Sequence, residues 1–188
     1  MLKPELVEKI IILFTTAFVS GLIVPLTLRI IDEQRTKELK KREALIARQS
    51  QLIEEQSQFL DELTQVLWNW RYAAMQVTYY AARKQLDMYE NVLNKYQESI
   101  WKYLNSFRYL TSKSRRLITS DSIYKKLLKF YFKIVNFDRE IHIANNIEIE
   151  GQKQFRFRSL NSKILNEVST EIDEILLEIS KQLKLYPE

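Results

Sequence analysis

The hydrophobic pattern opens with an uncharged run, IIILFTTAFVSGLIVPLTL, which extends from Ile10 to Leu28. A charged stretch, RIIDEQRTKELKKRE, follows it at once. A helix needs about 20 apolar residues to cross the hydrocarbon core of a bilayer, because it rises about 1.5 Å per residue. The pattern therefore predicts a short N-terminal flank at 1–9 and a transmembrane helix at 10–31.

Two other interpretations of this run are a cleaved signal peptide and a buried core helix. A signal peptide has a basic leader, a shorter apolar run and a small-residue cleavage site. No such cleavage motif follows the run, and the leader carries charges that cancel, namely Lys3, Glu5, Glu8 and Lys9. A core helix would present a broader polar face than four hydroxyl side chains provide. We therefore expect a membrane anchor.

The predicted membrane helix contains three small residues on one face and a proline. Ala17, Ser20 and Gly21 are spaced three and four apart, so they share one helix face. Strips of small residues let membrane helices approach closely, and this one predicts self-association. Pro25 cannot donate a hydrogen bond to the carbonyl of Gly21, which predicts a kink. These four residues are the expected membrane-helix packing positions.

Helical spacing continues over most of the remaining chain, which contains neither Gly nor Pro between Pro25 and Gly151. Few sharp turns fit such a stretch, so we expect long helices. Residues 32–67 form the predicted stalk and first cytoplasmic helix. Its apolar residues recur every seven positions, at Leu39, Ile46, Ile53, Leu60 and Leu67.

A second apolar stripe runs from Trp68 to Leu110 in alternating steps of four and three. This spacing is typical of a helix in a left-handed bundle, and we assign 68–188 to a helical bundle. The stripe is shifted by one residue relative to Leu67. The shift predicts a turn or kink near Gln65–Asn69, with an uninterrupted helix as the alternative.

Two further helices are separated by a segment of different periodicity. Hydroxyl and carboxylate residues at 119–122 predict the start of a helix that ends near Asn145 and Asn146. The apolar stripe predicted for this helix consists of Ile123, Leu127, Phe130, Ile134, Phe137 and Ile141. The sequence IEIEGQKQFRFR at 147–158 then alternates apolar and charged residues around Gly151, which predicts a β-hairpin. A last helix is expected from about Leu160 to Leu185. The predicted fold is all-α, with one transmembrane helix, a cytoplasmic bundle and a small β-hairpin insertion.

The distribution of basic residues predicts the orientation of the transmembrane helix. The whole chain has a formal net charge of +5. Lys3 and Lys9 precede the apolar run, whereas seven Lys and Arg residues follow it before position 50. Cytoplasmic flanks of membrane helices are enriched in Lys and Arg. We therefore expect the N-terminus outside the cell membrane and the bundle in the cytoplasm.

Basic residues also cluster near the stalk and at the predicted connection after Leu110. A reversal of the chain near Trp68 would return this connection to the membrane, where basic side chains attract anionic lipid. A solvated surface is the first interpretation, lipid contact the second and nucleic acid the third. The candidate contact residues are Lys40, Lys41, Arg42, Lys113, Arg115, Arg116, Lys125, Lys126 and Lys129.

The sequence lacks most of the residue types that common catalytic sites use, since it has one His, no Cys and two Gly. Common zinc sites, Cys–His nucleophiles and phosphate-binding glycine loops are therefore excluded. We expect no cofactor, no metal and no enzymatic activity.

The segment from Asp138 to His142 resembles the Arg–polar–His motif of HEPN ribonucleases in its Arg139 and His142. The His follows the Arg by three residues rather than four to six, and a local pair between Asp138 and His142 is the alternative.

These features favour a membrane-anchored helical protein that forms homo-oligomers and acts at the lipid bilayer as a pore-forming or gating effector. Bacterial antiviral defence and toxin systems use effectors of this architecture, which is an analogy only. The first alternative is a membrane tether that displays the bundle to a cytoplasmic protein partner. The second is a membrane-tethered RNA-binding or HEPN-like ribonuclease module. In a pore, the lining candidates are the hydroxyl residues Thr15, Thr16, Ser20 and Thr27.

Overall fold

The computed structural model describes the backbone of residues 4–118 and 120–183. The chain divides into two units, Met1–Gln51 and Leu52–Glu188, and each is described by itself. Helices account for almost all of the described residues, among which there is no strand. The all-α prediction is therefore confirmed.

The first unit consists of helical segments. Helix α1 (Pro4–Phe18) leads into a π-helical segment, Val19–Ile23, and then into α2 (Val24–Ala82). In the π-helical segment, the N–H of Val24 donates to the carbonyl of Val19, five residues earlier. This wider turn comes immediately before Pro25, whose ring would clash with the carbonyl four residues back in a regular α-helix. The structure thus has a π-helical segment beside this proline, and the kink predicted there stays a prediction.

The second unit is a helical bundle. The later part of α2 packs with α3 (Leu86–Leu117), α4 (Asp121–Asn145) and α5 (Glu150–Lys163). A second π-helical segment, Ile164–Val168, joins α5 to α6 (Ser169–Leu183). The bundle predicted for the C-terminal part of the chain is confirmed as a helical structure.

The turn predicted near Gln65–Asn69 is wrong, because α2 continues to Ala82. The buried face of α2 runs on without a shift of phase through Leu67 and Trp70. The apolar stripe read from Trp68 lies beside this face, and Tyr72 on that stripe is 56% exposed. The buried residues of α2 are Phe59, Leu63, Leu67, Trp70, Ala74, Val77, Thr78, Ala81 and Ala82.

The chain reverses instead at 83–85, between α2 and α3. Lys84 has φ 61, a left-handed conformation that costs a residue with a Cβ roughly 1–2 kcal/mol. The N–H of Gln85 donates to the carbonyl of Tyr80 at 3.3 Å, which closes the turn. Neither Gly nor Pro occurs here, and the spacing of apolar residues continues across the turn, so the pattern gave no sign of it.

The apolar stripes of α3 and α4 form most of the core, although on the predicted α3 stripe Leu86 is 65% exposed and Tyr103 is only partly buried. Phe107 on α3 packs edge-on against Phe130 on α4, with 6.1 Å between ring centroids. Trp70 on α2 contacts Phe130 and Phe137 in the same manner, at 6.3 Å and 6.2 Å. These aromatic contacts join three helices at one place. Helix α4 also ends at Asn145, where the sequence predicted its end.

The β-hairpin predicted at 147–158 is wrong, because residues from Glu150 onward form α5. Gln154, Phe157 and Leu160 are buried at helical spacing, while Phe155 is 75% exposed. Gln154 donates to the Glu150 carboxylate four residues earlier, at 2.8 Å. The alternation at 147–158 therefore lies partly in the connection before α5 and partly in α5 itself, whose buried face is narrow.

The helix from α5 to α6 keeps its buried face across the π-helical segment. Leu160, Ile164, Val168 and Ile172 are all buried and lie four residues apart. This spacing exceeds the 3.6 residues of an α-helical turn, and the wider π turn fits it. The Ser169 hydroxyl donates to the carbonyl of Ile164 at 3.0 Å, and it accepts a hydrogen bond from Arg71 Nε at 2.6 Å. These bonds tie the segment to α2.

The aromatic core predicts a large difference between two neighbouring phenylalanines of α4. Phe130→Ala should lower the free energy of unfolding by about 3–5 kcal/mol, because Phe130 is fully buried and a cavity would remain. Phe132 is 55% exposed, and Phe132→Ala should change it by about 0.5 kcal/mol or less. Urea unfolding followed by circular dichroism measures both. Equal losses would contradict the packing described.

The helical conformation of Gly151 predicts that alanine is accepted there. Its φ is not positive, and an added Cβ would meet nothing within 4 Å. Gly151→Ala should therefore raise the free energy of unfolding by about 0.5 kcal/mol, since glycine is a poor helix former. Loss of stability in the same urea experiment would indicate a turn at this position and would contradict α5.

Candidate functional site

The apolar segment of the first unit has no protein covering it. An 18-residue window of the helical stretch that starts at Ile11 has a mean hydropathy of 2.2, and none of that window is buried. By length and composition, this helix is able to cross a membrane. Phe14 and Leu13 are among its most exposed side chains.

The hydroxyl groups of this segment bond to the helix that carries them. Thr15 Oγ1 donates to the carbonyl of Ile11 at 2.8 Å, and Ser20 Oγ donates to that of Thr16 at 2.6 Å. Thr16 and Thr27 form the same kind of bond with earlier carbonyls. Each donor is thus satisfied without water, so these groups can lie in a hydrocarbon surrounding. The assignment of these residues to a pore lining stays a prediction.

The small-residue strip lies on the exposed surface of the same segment. Ala17, Ser20 and Gly21 are all exposed. An added Cβ at Gly21 would have no neighbour within 4 Å, so the backbone there is accessible to a second helix. Packing through these residues and Pro25 stays a prediction, because it concerns contacts between chains.

Several of the basic candidates are engaged in contacts within the second unit. Lys113 pairs with Glu62 at 3.3 Å, Lys125 pairs with Asp121 at 2.7 Å, and Lys126 pairs with Glu178. The Lys125 ammonium also holds the pKa of the Asp121 carboxyl below its usual value. The Arg115 guanidinium lies 3.8 Å from the ring centroid of Tyr124. The remaining candidates, Lys40, Lys41, Arg42, Arg116 and Lys129, are exposed.

The connection between α3 and α4 lies beside α2. Gln56 Nε2 donates to the carbonyl of Leu117 at 3.0 Å, which satisfies a carbonyl at the last residue of α3. Because the chain reverses at 83–85, Leu117 reaches Gln56 rather than an earlier part of the predicted stalk. Contact of this connection with lipid stays a prediction.

Arg139 and His142 are exposed on α4. The structure places His142 Nε2 3.7 Å from Asp138 Oδ1, four residues earlier on the same helix. This is the local Asp–His pair that the spacing suggested. A nuclease role for Arg139 and His142 stays a prediction.

A buried polar cluster inside the bundle was not identified from the sequence. Trp70 Nε1, Tyr96 Oη and Asp138 Oδ1 are buried, and none of them has a partner at regular hydrogen-bond geometry among the described residues, although the Tyr96 hydroxyl lies close enough to Trp70 and Asp138 to interact with both. Burial, followed by the nearby Asp138 carboxylate, raises the pKa of Tyr96 well above its usual value. The Tyr96 hydroxyl therefore stays protonated, which suits a structural group. Tyr96 lies on the predicted stripe of α3, but the stripe did not reveal its polar neighbours.

A groove of about 750 Å³ beside the turn between α2 and α3 was also not identified. Arg83 and Lys84 of the turn and Arg158 of α5 lie along it. Residues so far apart in sequence could not be brought together by spacing alone. The hairpin prediction placed Arg158 in a strand, so the position of Arg158 beside Arg83 and Lys84 was not predicted.

Burial of Tyr89 predicts a loss of stability at alkaline pH. Burial raises the pKa of Tyr89 from 10.0 to about 12, and its hydroxyl donates to Asn145 Oδ1 at 2.6 Å. Since the folded-state pKa exceeds the unfolded one, this stabilisation is complete below about pH 10 and is lost as pH rises toward 12. Tyr89→Phe should therefore lose less stability than the wild type between about pH 8 and pH 11.

The control for this experiment is Tyr109→Phe, because Tyr109 is an exposed residue of the same helix. Urea unfolding at the two pH values should give it the pH dependence of the wild type. An identical alkaline loss in the wild type and Tyr89→Phe would contradict the prediction.

Comparison with known proteins gives no match for this chain, whether with protein-family models, with curated proteins or with solved structures. The fold and the sites therefore have to be interpreted from the chain itself.

Proposed function

We propose that this protein is a single-pass membrane protein that forms homo-oligomers and acts at the bilayer as a pore-forming or gating effector. The observation that carries the proposal is the exposure of the whole apolar window near the N-terminus. Removing apolar surface from water lowers the free energy by roughly 25 cal/mol per Å². Water is therefore a poor surrounding for this window, and hydrocarbon is a good one.

The flanking charges support one orientation in that membrane. Basic residues are concentrated on the C-terminal side of the window, in Arg29 and the following α2 sequence. This asymmetry favours an external N-terminus and a cytoplasmic bundle. Arg29 pairs with Glu33 at 3.3 Å on an exposed helix surface, where charge is well solvated.

Accessible surface in the first unit supports assembly of several copies. The backbone at Gly21 is open to a neighbouring helix. Leu39, Leu45 and Ile46 of α2 are each more than half exposed, although apolar side chains of this kind gain from burial. One helix per chain cannot enclose a pore, so a pore requires such assembly.

A membrane tether is the second candidate. It is favoured by the hydroxyl bonds of Thr15, Thr16 and Ser20, which leave no donor that needs a watery lumen. In this case the anchor holds the bundle at the membrane, and a protein partner binds the bundle.

Replacement of Gly21 tests the effector proposal. Gly21→Leu keeps the segment apolar but blocks close approach of a second helix. The wild type should sediment with membranes, exceed the 22.6 kDa of one chain in detergent, and release ions from liposomes. The variant should stay in the membrane fraction, fall toward the mass of one chain and release ions at the background rate.

Val19→Leu is the matched control, because Val19 lies two residues away on a different face of the segment. It should keep the mass and the ion release of the wild type. A wild type that is membrane-bound but monomeric and non-conducting would exclude the effector and leave the tether. A wild type that stays in the supernatant without detergent would contradict both.

A further inference from the structure

The groove beside the turn between α2 and α3 has the size and the lining of a binding site. Its volume of about 750 Å³ lies within the range of about 300–1,000 Å³ that is common for small-molecule sites. Three structural parts meet there: the turn at 83–85, α5, and the π-helical segment Ile164–Val168. The groove belongs to the second unit and does not involve the apolar segment.

Positive charge dominates the lining. Arg83, Lys84 and Arg158 line the groove, and no carboxylate lines it. In the part of the chain that the structure describes, none of these three side chains has a carboxylate within ion-pair distance. By contrast, Arg156, two residues before Arg158, pairs with Glu140. The three cations at the groove are therefore available to an anionic ligand.

The Arg83 side chain is held in place without losing its donors. Its guanidinium lies 4.4 Å from the ring centroid of Tyr79, which also lines the groove. A cation–π contact fixes the plane of a guanidinium but leaves its N–H groups free for oxygen ligands. Such a fixed fork binds phosphate more favourably than a freely rotating side chain does.

Polar groups and backbone geometry add to this lining. Gln85, which lines the groove, precedes α3, and no side chain caps this helix end. The N-terminus of a helix carries a partial positive charge, which the Asp87 carboxylate in the first turn of α3 partly offsets. Leu165 and Asn166, which also line the groove, belong to the π-helical segment. Segments of this type occur frequently at functional sites.

From this juxtaposition we infer that the groove binds a soluble small molecule of nucleotide size that carries two or more phosphate groups. Arg83, Lys84 and Arg158 contact the phosphate oxygens. Gln85 and Asn166 provide further polar contacts. This inference does not depend on the membrane function proposed above, because no residue of the apolar segment lines the groove.

The test uses the full-length protein in detergent, with ATP free of divalent cations and inorganic pyrophosphate as probes. Isothermal titration calorimetry should detect binding of at least one probe, and binding should weaken as salt is raised. Lys84→Gln and Arg158→Gln should each lower the affinity about tenfold, because each removes a charge-assisted contact. Urea unfolding checks that both variants keep the stability of the wild type.

Lys102→Gln is the matched control, because Lys102 is an exposed residue of α3 outside the groove lining. It changes the net charge equally and should alter the affinity less than twofold. Absence of binding for both probes at low salt would overturn the proposal, and so would equal losses in all three variants. Binding of phosphatidylglycerol in mixed detergent micelles through Lys84 and Arg158, without binding of either soluble probe, would assign the groove to lipid headgroups and also overturn it.

Discussion

Covering apolar surface is the constraint on which this structure depends, and the two units meet it differently. In the second unit, α2, α3 and α4 cover one another through edge-on contacts of Trp70, Phe107 and Phe130. In the first unit, none of the 18-residue apolar window is buried. One part of the chain thus satisfies the constraint internally, whereas the other would satisfy it in the membrane proposed above.

The sequence predicted best where one face of a helix is buried along its whole length. In α4, residues from Ile123 to Ile141 recur at helical spacing, and the stripe is buried as expected. Prediction failed at the turn, where Lys84 adopts a conformation that glycine or asparagine usually provides. It also failed in α5, because alternation at 147–158 masked a stripe that continues backward from Ile164 through Phe157.

In the candidate sites, contacts between residues close in sequence could be predicted, whereas contacts between residues far apart in sequence could not. The Asp138–His142 pair and the hydroxyl bonds of Thr15 and Thr16 join residues four apart, and helical spacing is sufficient to find them. The pairing of Lys113 with Glu62 and the meeting of Arg83 with Arg158 depend on where the chain turns. Both were missed, because an error of some fifteen residues in one turn changes every partner across the bundle.

The π-helical segment at Ile164–Val168 has a consequence for how the chain can vary in length. Deleting one residue from this segment would give the steps of four and three that suit a regular α-helix. The same side of α6 would then still face α4, so the interior would tolerate the deletion. The rim formed by Leu165 and Asn166 would nevertheless shift relative to Arg158. Evolution can thus reshape this rim by insertion or deletion while the interior stays the same.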